Sequence, residues 1–150
     1  MSAADSPTLK TPADYAAYRI SPGDSNRLVI VHDELGDGVP FITCVEIYDV
    51  GGRTPPNSHR QAWEQFFVLA GEGMAICGEH RLELRPGGCL LVPPGTEHVV
   101  ENTGATRLYT LTTMVPDEDF GRLIRSGAPV ELDEQDLAIL AGLRVPQAIS

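Results

Sequence analysis

The stretch GGRTPPNSHRQAWEQFFVLAGEG, residues 51–73, decides the fold of this chain. It joins a proline-containing loop that carries His59 to an alternating, mostly apolar segment that begins at Trp63. Side chains alternate across a strand, which predicts two faces: Glu64, Phe66, Val68 and Ala70 on one, and Trp63, Gln65, Phe67 and Leu69 on the other. If the Glu64 face is buried, its carboxylate needs a strong partner, because an uncompensated buried charge is strongly destabilising. A cation would meet that need.

Length and composition indicate one domain that needs no cross-link to fold. A chain of 150 residues with 42% apolar residues can bury about 70% of the surface that it exposes when unfolded. Its 21 acidic and 11 basic residues give a formal net charge of -10, which argues against nucleic acid and anionic membranes as partners, because both select basic patches. The N-terminal segment lacks the features of a secretion signal, and no apolar run approaches the ~20 residues of a membrane helix. We therefore expect a cytoplasmic protein whose partners are small molecules or other proteins.

Strand patterns dominate the middle of the chain. Gly, Pro and Asp separate alternating or β-rich segments, which predicts strands at residues 27–33, 40–50, 63–70, 73–77, 81–85, 88–92, 97–102 and 106–115. Short strands in close succession, without helical segments between them, favour an antiparallel sandwich or jelly roll over a parallel α/β sheet. The predicted fold class is therefore all-β.

Helices are predicted only near the two ends. Pro12, where a first helical turn tolerates proline, predicts a short helix through Tyr18. A second helix is predicted over residues 117–124, and a third after an N-cap at Asp133. Its apolar face is formed by Leu132, Leu137, Ile139, Leu140 and Leu143. The chain thus divides into an N-terminal arm with a short helix (1–26), a β domain (27–115) and a C-terminal helical tail (116–150).

Histidines on either side of the predicted strands supply candidate partners for Glu64. His59 precedes the strand by a few residues, and His98 lies near the start of a later strand. Two imidazoles and one carboxylate form a facial triad that leaves coordination positions open. His32 and His80 lie outside this pattern and are expected at the surface. Cysteine chemistry is not indicated, because Cys44, Cys77 and Cys89 are odd in number, widely spaced and without a CxxC pair, so they are expected to be small core residues.

The spacing of these residues resembles the two motifs of the cupin superfamily. The first motif has glycine, two histidines, glutamate and glycine at fixed spacing, and this chain places Gly51, Asn57, His59, Glu64 and Gly71 there. The second motif is matched at every fixed position, by Gly87, Pro93, Gly95, His98 and Asn102. The motifs cover residues 51–102 and are separated by a short segment, as in small single-domain microbial cupins.

The resemblance implies a double-stranded β-helix, also called a jelly-roll barrel, that is a homodimer and holds a divalent metal inside. It implies metal ligation by His59, Glu64 and His98, with Asn57 at the fourth ligand position of the family. Asparagine replaces histidine there, and an amide oxygen is a neutral and weaker ligand. The alternatives are ligation by Asn57, or a site of three protein ligands and water in which Asn57 only shapes the Pro55-Pro56-Asn57-Ser58 turn.

Other polar residues are weaker candidates for contact with a substrate. Arg53 and Gln61 lie beside the motif loop and are candidates to orient an anionic or polar substrate. On the last predicted strand, parity places either Tyr109 or the pair Thr110 and Thr112 inside. The candidate catalytic residues are Glu64, Arg53, Gln61 and Tyr109.

The function expected from the resemblance is a metal-dependent cupin that acts on a small organic molecule, of dioxygenase, isomerase, decarboxylase or lyase type. Fe(II) suits oxidative chemistry at such a site, and Mn(II), Ni(II) or Zn(II) suits the other reactions. The alternative is a non-enzymatic small-molecule-binding or regulatory cupin, because one fold hosts both classes. A homodimer is also expected from the outward row Trp63, Phe67 and Leu69, which would be a large apolar patch on a monomer. The alternative is that swapping or packing of the N-terminal segment covers this row.

Overall fold

The computed structural model describes residues 6–142, and ten short strands account for most of the regular structure. The strands are β1 (Ala16–Arg19), β2 (Asn26–His32), β3 (Ile42–Tyr48), β4 (Trp63–Ala70), β5 (Gly73–Cys77), β6 (His80–Leu84), β7 (Cys89–Val92), β8 (His98–Asn102), β9 (Leu108–Val115) and β10 (Ala128–Val130). The helices are α1 (Glu34–Asp37), α2 (Phe120–Arg125) and α3 (Glu134–Leu140), with a 3-10 turn at Pro12–Asp14.

Two antiparallel sheets enclose the main core. The larger has the strand order β10-β1-β2-β3-β9-β4-β7, and the smaller has the order β6-β5-β8. Between them lies a cluster of buried side chains: Tyr48, Phe66, Val68, Ala75, Cys77, Leu84, Leu90, Val92, Val100 and Leu108. This architecture confirms the predicted all-β jelly roll with short helices near both ends. Each predicted strand begins and ends within about two residues of the boundaries of an observed strand.

Strand β1 is the clearest departure from the sequence prediction. The helix expected through Tyr18 stops after the turn at Pro12–Asp14, and Tyr18 lies in a strand. This strand pairs with β2 on one side and β10 on the other, so tertiary pairing outweighs the local helix-start signal. Strand β10 was missed for the same reason. The predicted arm and tail thus extend the sheet of the β domain, while the three-part division of the chain stays a prediction.

The helices otherwise follow the sequence signals. Helix α2 overlaps the segment predicted to be helical and extends one residue beyond it, to Arg125. Helix α3 begins after Asp133, whose side chain accepts a hydrogen bond from the Asp136 N–H group. The predicted face of α3 packs on the outer side of the large sheet through Leu132, Ile139 and Leu140. Leu137 is exposed, contrary to the prediction, and Leu143 lies outside the described residues. Helix α1 was not predicted; it is a single turn capped by the Asp33 side chain.

Buried and exposed side chains alternate along most of β4, but the alternation breaks at its end. Glu64, Phe66 and Val68 are buried, and Trp63 and Phe67 are exposed, as the alternation predicts. A register shift between Val68 and Ala70 breaks the pattern. Leu69 and Ala70 therefore both pack against the cluster on the outer side of the sheet, which corrects the predicted inward position of Ala70 and removes Leu69 from the exposed row.

Gly71 closes β4 in a conformation that only glycine accommodates there. Its φ is +86°, and a Cβ atom would meet the Arg107 carbonyl oxygen and Leu108 backbone.

Cysteine positions are partly as expected: Cys44 and Cys77 are buried, but Cys89 is exposed on the edge strand β7. The prediction for Cys89 was wrong because its side chain lies on the outer face of the sheet, opposite Phe67.

Candidate metal centre

Backbone pairing brings the two histidine-bearing segments together. Asn57 and His98 form an isolated antiparallel bridge, in which the His98 N–H group donates to the Asn57 carbonyl oxygen over 2.9 Å. The Gly95 N–H group donates to the His59 carbonyl oxygen over 2.7 Å. The loop before β4 and the turn before β8 are therefore joined, and both imidazoles project toward the start of β4, where Glu64 lies.

His59, Glu64 and His98 form a compact group of potential ligands. One ligand atom from each residue lies within 4.8 Å of the other two. Glu64 Oε1 is 2.8 Å from His98 Nε2 and 3.3 Å from His59 Nε2. The side chains of Glu64 and His98 are almost fully buried, and His59 is partly buried. This is the donor set of two imidazoles and one carboxylate that the sequence predicted to be close.

The donors and acceptors of this group fit a bound cation. His98 Nδ1 lies 3.0 Å from the Thr96 carbonyl oxygen, which cannot donate, so Nδ1 carries the proton. In the neutral ring Nε2 is then an acceptor that faces another acceptor, Glu64 Oε1. A proton on His98 Nε2 would turn that contact into a hydrogen bond. His59 Nε2 would remain buried without a hydrogen-bond partner, although it lies 3.3 Å from the same Glu64 oxygen. A divalent metal ion would satisfy all three groups at once, so the residues fit a metal.

The charges of the site favour an ionised carboxylate. Burial of Glu64 opposes ionisation, but contact with His59 and His98 outweighs it and holds the pKa of this carboxyl group below its usual value. Burial likewise opposes a charged His98, but its hydrogen bond to Glu64 raises the pKa of the imidazole. A carboxylate that stays ionised inside the protein is the form that binds metal.

Glu46 is a second buried carboxyl group, and the sequence analysis missed it. It lies on β3 and accepts hydrogen bonds from the Tyr48 hydroxyl over 2.5 Å and from Thr112 Oγ1 over 3.1 Å. Burial, followed by the charge of Glu64, raises its pKa to about 7. A charged residue within the apolar run ITCVEIY, residues 42–48, was a signal that could have identified it.

A cavity of about 160 Å³ opens beside these groups. Its polar lining comprises Glu46, Thr54, Asn57, His59, Glu64 and His98. Phe66, Phe120 and Leu123 form the apolar side, the last two from α2. Helix α2 is tied to the histidine loop, because the adjoining Glu118 carboxylate accepts the N–H groups of Arg60, Gln61 and Ala62, residues that follow His59 directly.

Of the other predicted site residues, some line the cavity and some do not. Asn57 is exposed and lines the cavity, so the choice between ligand and turn residue stays open. Arg53 is exposed and pairs with Glu101 at 3.2 Å, and the exposed Gln61 contacts Glu118 through its backbone. Neither lines the cavity. His80 is exposed and His32 is half-buried.

Tyr109 lies on the opposite side of the sheet from the cavity. Its hydroxyl donates to Asp136 of α3 over 2.6 Å, and its ring packs in the outer cluster. The Thr112 hydroxyl instead donates to Glu46 inside the barrel. The threonines of β9 therefore face inward, and Tyr109 faces outward. The catalytic role predicted for Tyr109 is therefore corrected: Tyr109 anchors α3, next to Arg27, which also pairs with Asp136.

The fold and site together define a double-stranded β-helix with a clustered His-Glu-His group in the barrel. The sequence model of the family described as "Cupin domain" matches residues 44–114. This segment contains both motifs and all three grouped residues. Residues 44–114 therefore form a cupin domain.

One relative and two solved structures are similar to this chain over most of its length. The uncharacterized protein MJ1618 of Methanocaldococcus jannaschii is 27% identical over 108 residues, which cover 72% of this chain and 86% of that protein. KdgF from Halomonas sp. has a TM-score of 0.67 at 15% identity, with 77% of this chain and 99% of that one covered. An RmlC-like cupin from Shewanella frigidimarina has a TM-score of 0.62 at 18% identity, with 77% and 96% covered. These structural likenesses show the shared fold.

Within residues 6–142, none of the helices has the length and apolar character that crossing a membrane requires.

Proposed function

We propose that the protein acts on a small organic molecule at a divalent transition metal held by His59, Glu64 and His98. One observation carries the proposal: His59 Nε2 is buried without a hydrogen-bond partner, close to a carboxylate oxygen that also faces His98 Nε2. A single cation is the simplest species that serves all three atoms. Asn57 lies beside them on the cavity wall and is proposed as a further, weaker ligand.

The bound metal would supply Lewis-acid or oxygen-activating chemistry, with Fe(II) suited to a dioxygenase and Mn(II), Ni(II) or Zn(II) to an isomerase, decarboxylase or lyase. The chain supplies the rest of the site. Thr96 fixes the orientation of His98 through Nδ1, as backbone carbonyls commonly do for ligating histidines. Glu46, with a pKa of about 7, can hold or release a proton near neutral pH at the cavity wall.

Metal analysis of tag-free protein, purified without chelator, tests the proposal. Wild-type protein and the control His80→Ala, which changes an exposed histidine on β6, should both retain one transition metal per chain. His59→Ala should lose it, with its circular dichroism spectrum unchanged. Retention of metal by His59→Ala, or a wild-type protein that binds none of the four metals when they are added, would overturn the proposal.

Turnover assays then distinguish the enzyme from the non-enzymatic alternative. Oxygen uptake with thiols, diols and keto acids tests oxidative chemistry, and product analysis of the same panel tests isomerase, decarboxylase and lyase chemistry. A protein that binds metal and a ligand but converts none of these compounds would be a binding or regulatory cupin.

We also propose that the protein is a homodimer joined through the outer face of β4, β7 and β9. Trp63 and Phe67 are 51% and 40% exposed, and Leu91 and Val115 are 56% and 49% exposed on the neighbouring strands. Trp63 lies opposite Val115, and Phe67 lies opposite Cys89, so the side chains form one continuous patch. A second copy would remove this patch from water and cover the edge strand β7.

A further inference from the structure

The cavity beside the histidines has both polar and apolar walls. Glu64 and His98 are among its polar groups, and the Phe66 ring lies edge-on to the His98 ring at 6.0 Å between centroids. Phe120 and Leu123 of α2 supply further apolar lining. Its volume, about 160 Å³, is below the ~300–1,000 Å³ typical of sites for drug-sized ligands. A molecule that fits must therefore be small.

The cavity lining carries negative charge without a basic side chain to balance it. Glu46 and Glu64 both line it, and within residues 6–142 it has no lysine or arginine in its lining. Arg53, in the adjacent loop, is exposed and already pairs with Glu101. Glu64 and the one metal-binding carboxylate of a ligand would together balance a divalent ion, so no positive charge would remain for a second anionic group on that ligand. Burying such a group without a partner is costly.

We propose that this cavity binds a small molecule with one metal-binding oxygen group and an apolar end, and that it excludes molecules with a second negative charge. The inference rests on the proposed function, because the oxygen group would bind the metal held by His59, Glu64 and His98. The apolar end packs against Phe120 and Leu123. Helix α2 thereby determines specificity, while the histidines and Glu64 determine metal binding.

Three carboxylates of matched size test the inference with Co(II)-loaded protein. Succinate, succinamate and 4-methylpentanoate have equal numbers of non-hydrogen atoms and share one metal-binding carboxylate, but their other ends are charged, polar and apolar. Binding is followed by the change in the visible absorption of Co(II), which requires no turnover. We expect 4-methylpentanoate to bind at least about tenfold more tightly than succinate, with succinamate between them.

Substitutions at Leu123 test the role of α2. Leu123 is 51% exposed, so an arginine is accommodated there without disrupting the core. Leu123→Arg should raise the affinity for succinate relative to 4-methylpentanoate at least about tenfold, because it supplies the missing cation. Leu123→Ser should weaken only 4-methylpentanoate. The control Leu137→Arg makes the same change at a residue 41% exposed on α3, away from the cavity, and should leave the ratio unchanged.

The outcomes separate this inference from the proposed function. Failure of the wild-type protein to bind Co(II) or any of the four proposed metals would overturn the proposed function. With Co(II) bound, the present inference would be overturned if succinate bound as tightly as 4-methylpentanoate, if no carboxylate changed the Co(II) spectrum, or if Leu123→Arg and Leu123→Ser both left the ratio at the wild-type value.

Discussion

Replacing Glu46 with glutamine should stabilise the metal-free protein above neutral pH and leave its stability in acid unchanged. Glu46 is 6% exposed, and burial, together with the charge of Glu64, raises its pKa from 4.5 to about 7. Glutamine has nearly the same shape, and its carbonyl oxygen can still accept from Tyr48 and Thr112. The substitution therefore removes the charge and keeps the packing.

The magnitude follows from the change in pKa. A difference of about 2.5 between 7 and 4.5, at about 1.4 kcal/mol per pKa unit, makes ionisation of Glu46 about 3 kcal/mol more costly in the folded protein than in the unfolded chain. Because the folded state binds more protons between these pKa values, the stabilising contribution is complete below about pH 4.5 and is lost as the pH rises through about 7. The variant should therefore be more stable than wild type by up to about 3 kcal/mol at about pH 8.

Urea denaturation in the presence of EDTA measures this difference. The free energy of unfolding of Glu46→Gln and wild type should converge near pH 4.5 and diverge toward about pH 8. Glu83→Gln is the matched control, because Glu83 is exposed on β6, and it should change stability by less than about 0.5 kcal/mol at every pH. A difference between Glu46→Gln and wild type that does not vary with pH would refute the reasoning, because packing alone would then explain it.

Three further predictions concern the metal loop and the outer face. If Asn57 is a ligand, Asn57→His should tighten metal binding about tenfold or more and Asn57→Ala should weaken it; unchanged dissociation constants in both would make it a turn residue. Glu118→Ala removes the acceptor of three N–H groups next to His59 and should weaken metal binding about tenfold, with partial recovery in Glu118→Gln; equal affinity in all three proteins would exclude a role in positioning His59. Phe67→Glu should halve the mass measured by light scattering at micromolar concentration, whereas Leu137→Glu should not, and a wild-type mass of one chain would contradict the dimer.

The sequence alone determined the fold class and the main candidate ligands, because both depend on local spacing. Strand alternation has a period of two residues, so the position of Glu64, Phe66 and Val68 on one shared face could be predicted from the order of side chains in one segment. Two motifs at fixed spacing then related His59 and His98 to Glu64 without knowledge of the coordinates.

Only the tertiary structure decided which polar groups surround those ligands. Tyr109 and Thr112 lie on the same strand, and alternation places them on opposite faces without indicating which face is inward. Helix α3 determines the outer face, because it packs there and its Asp136 accepts a hydrogen bond from the Tyr109 hydroxyl. Glu46 joined the cavity because β3 and β9 pair in a register that places Thr112 within reach of its carboxylate.

The position of α2 was the least predictable feature of the site. Its sequence predicts a helix but not what the helix contacts, and its placement depends on Arg125 pairing with Asp33 at 2.8 Å and on Glu118 binding the loop of His59. These contacts join residues far apart in the chain, and their energies depend on how whole elements pack rather than on local propensity. The sequence therefore determined the grouped histidines and glutamate, while packing determined the wall that they face.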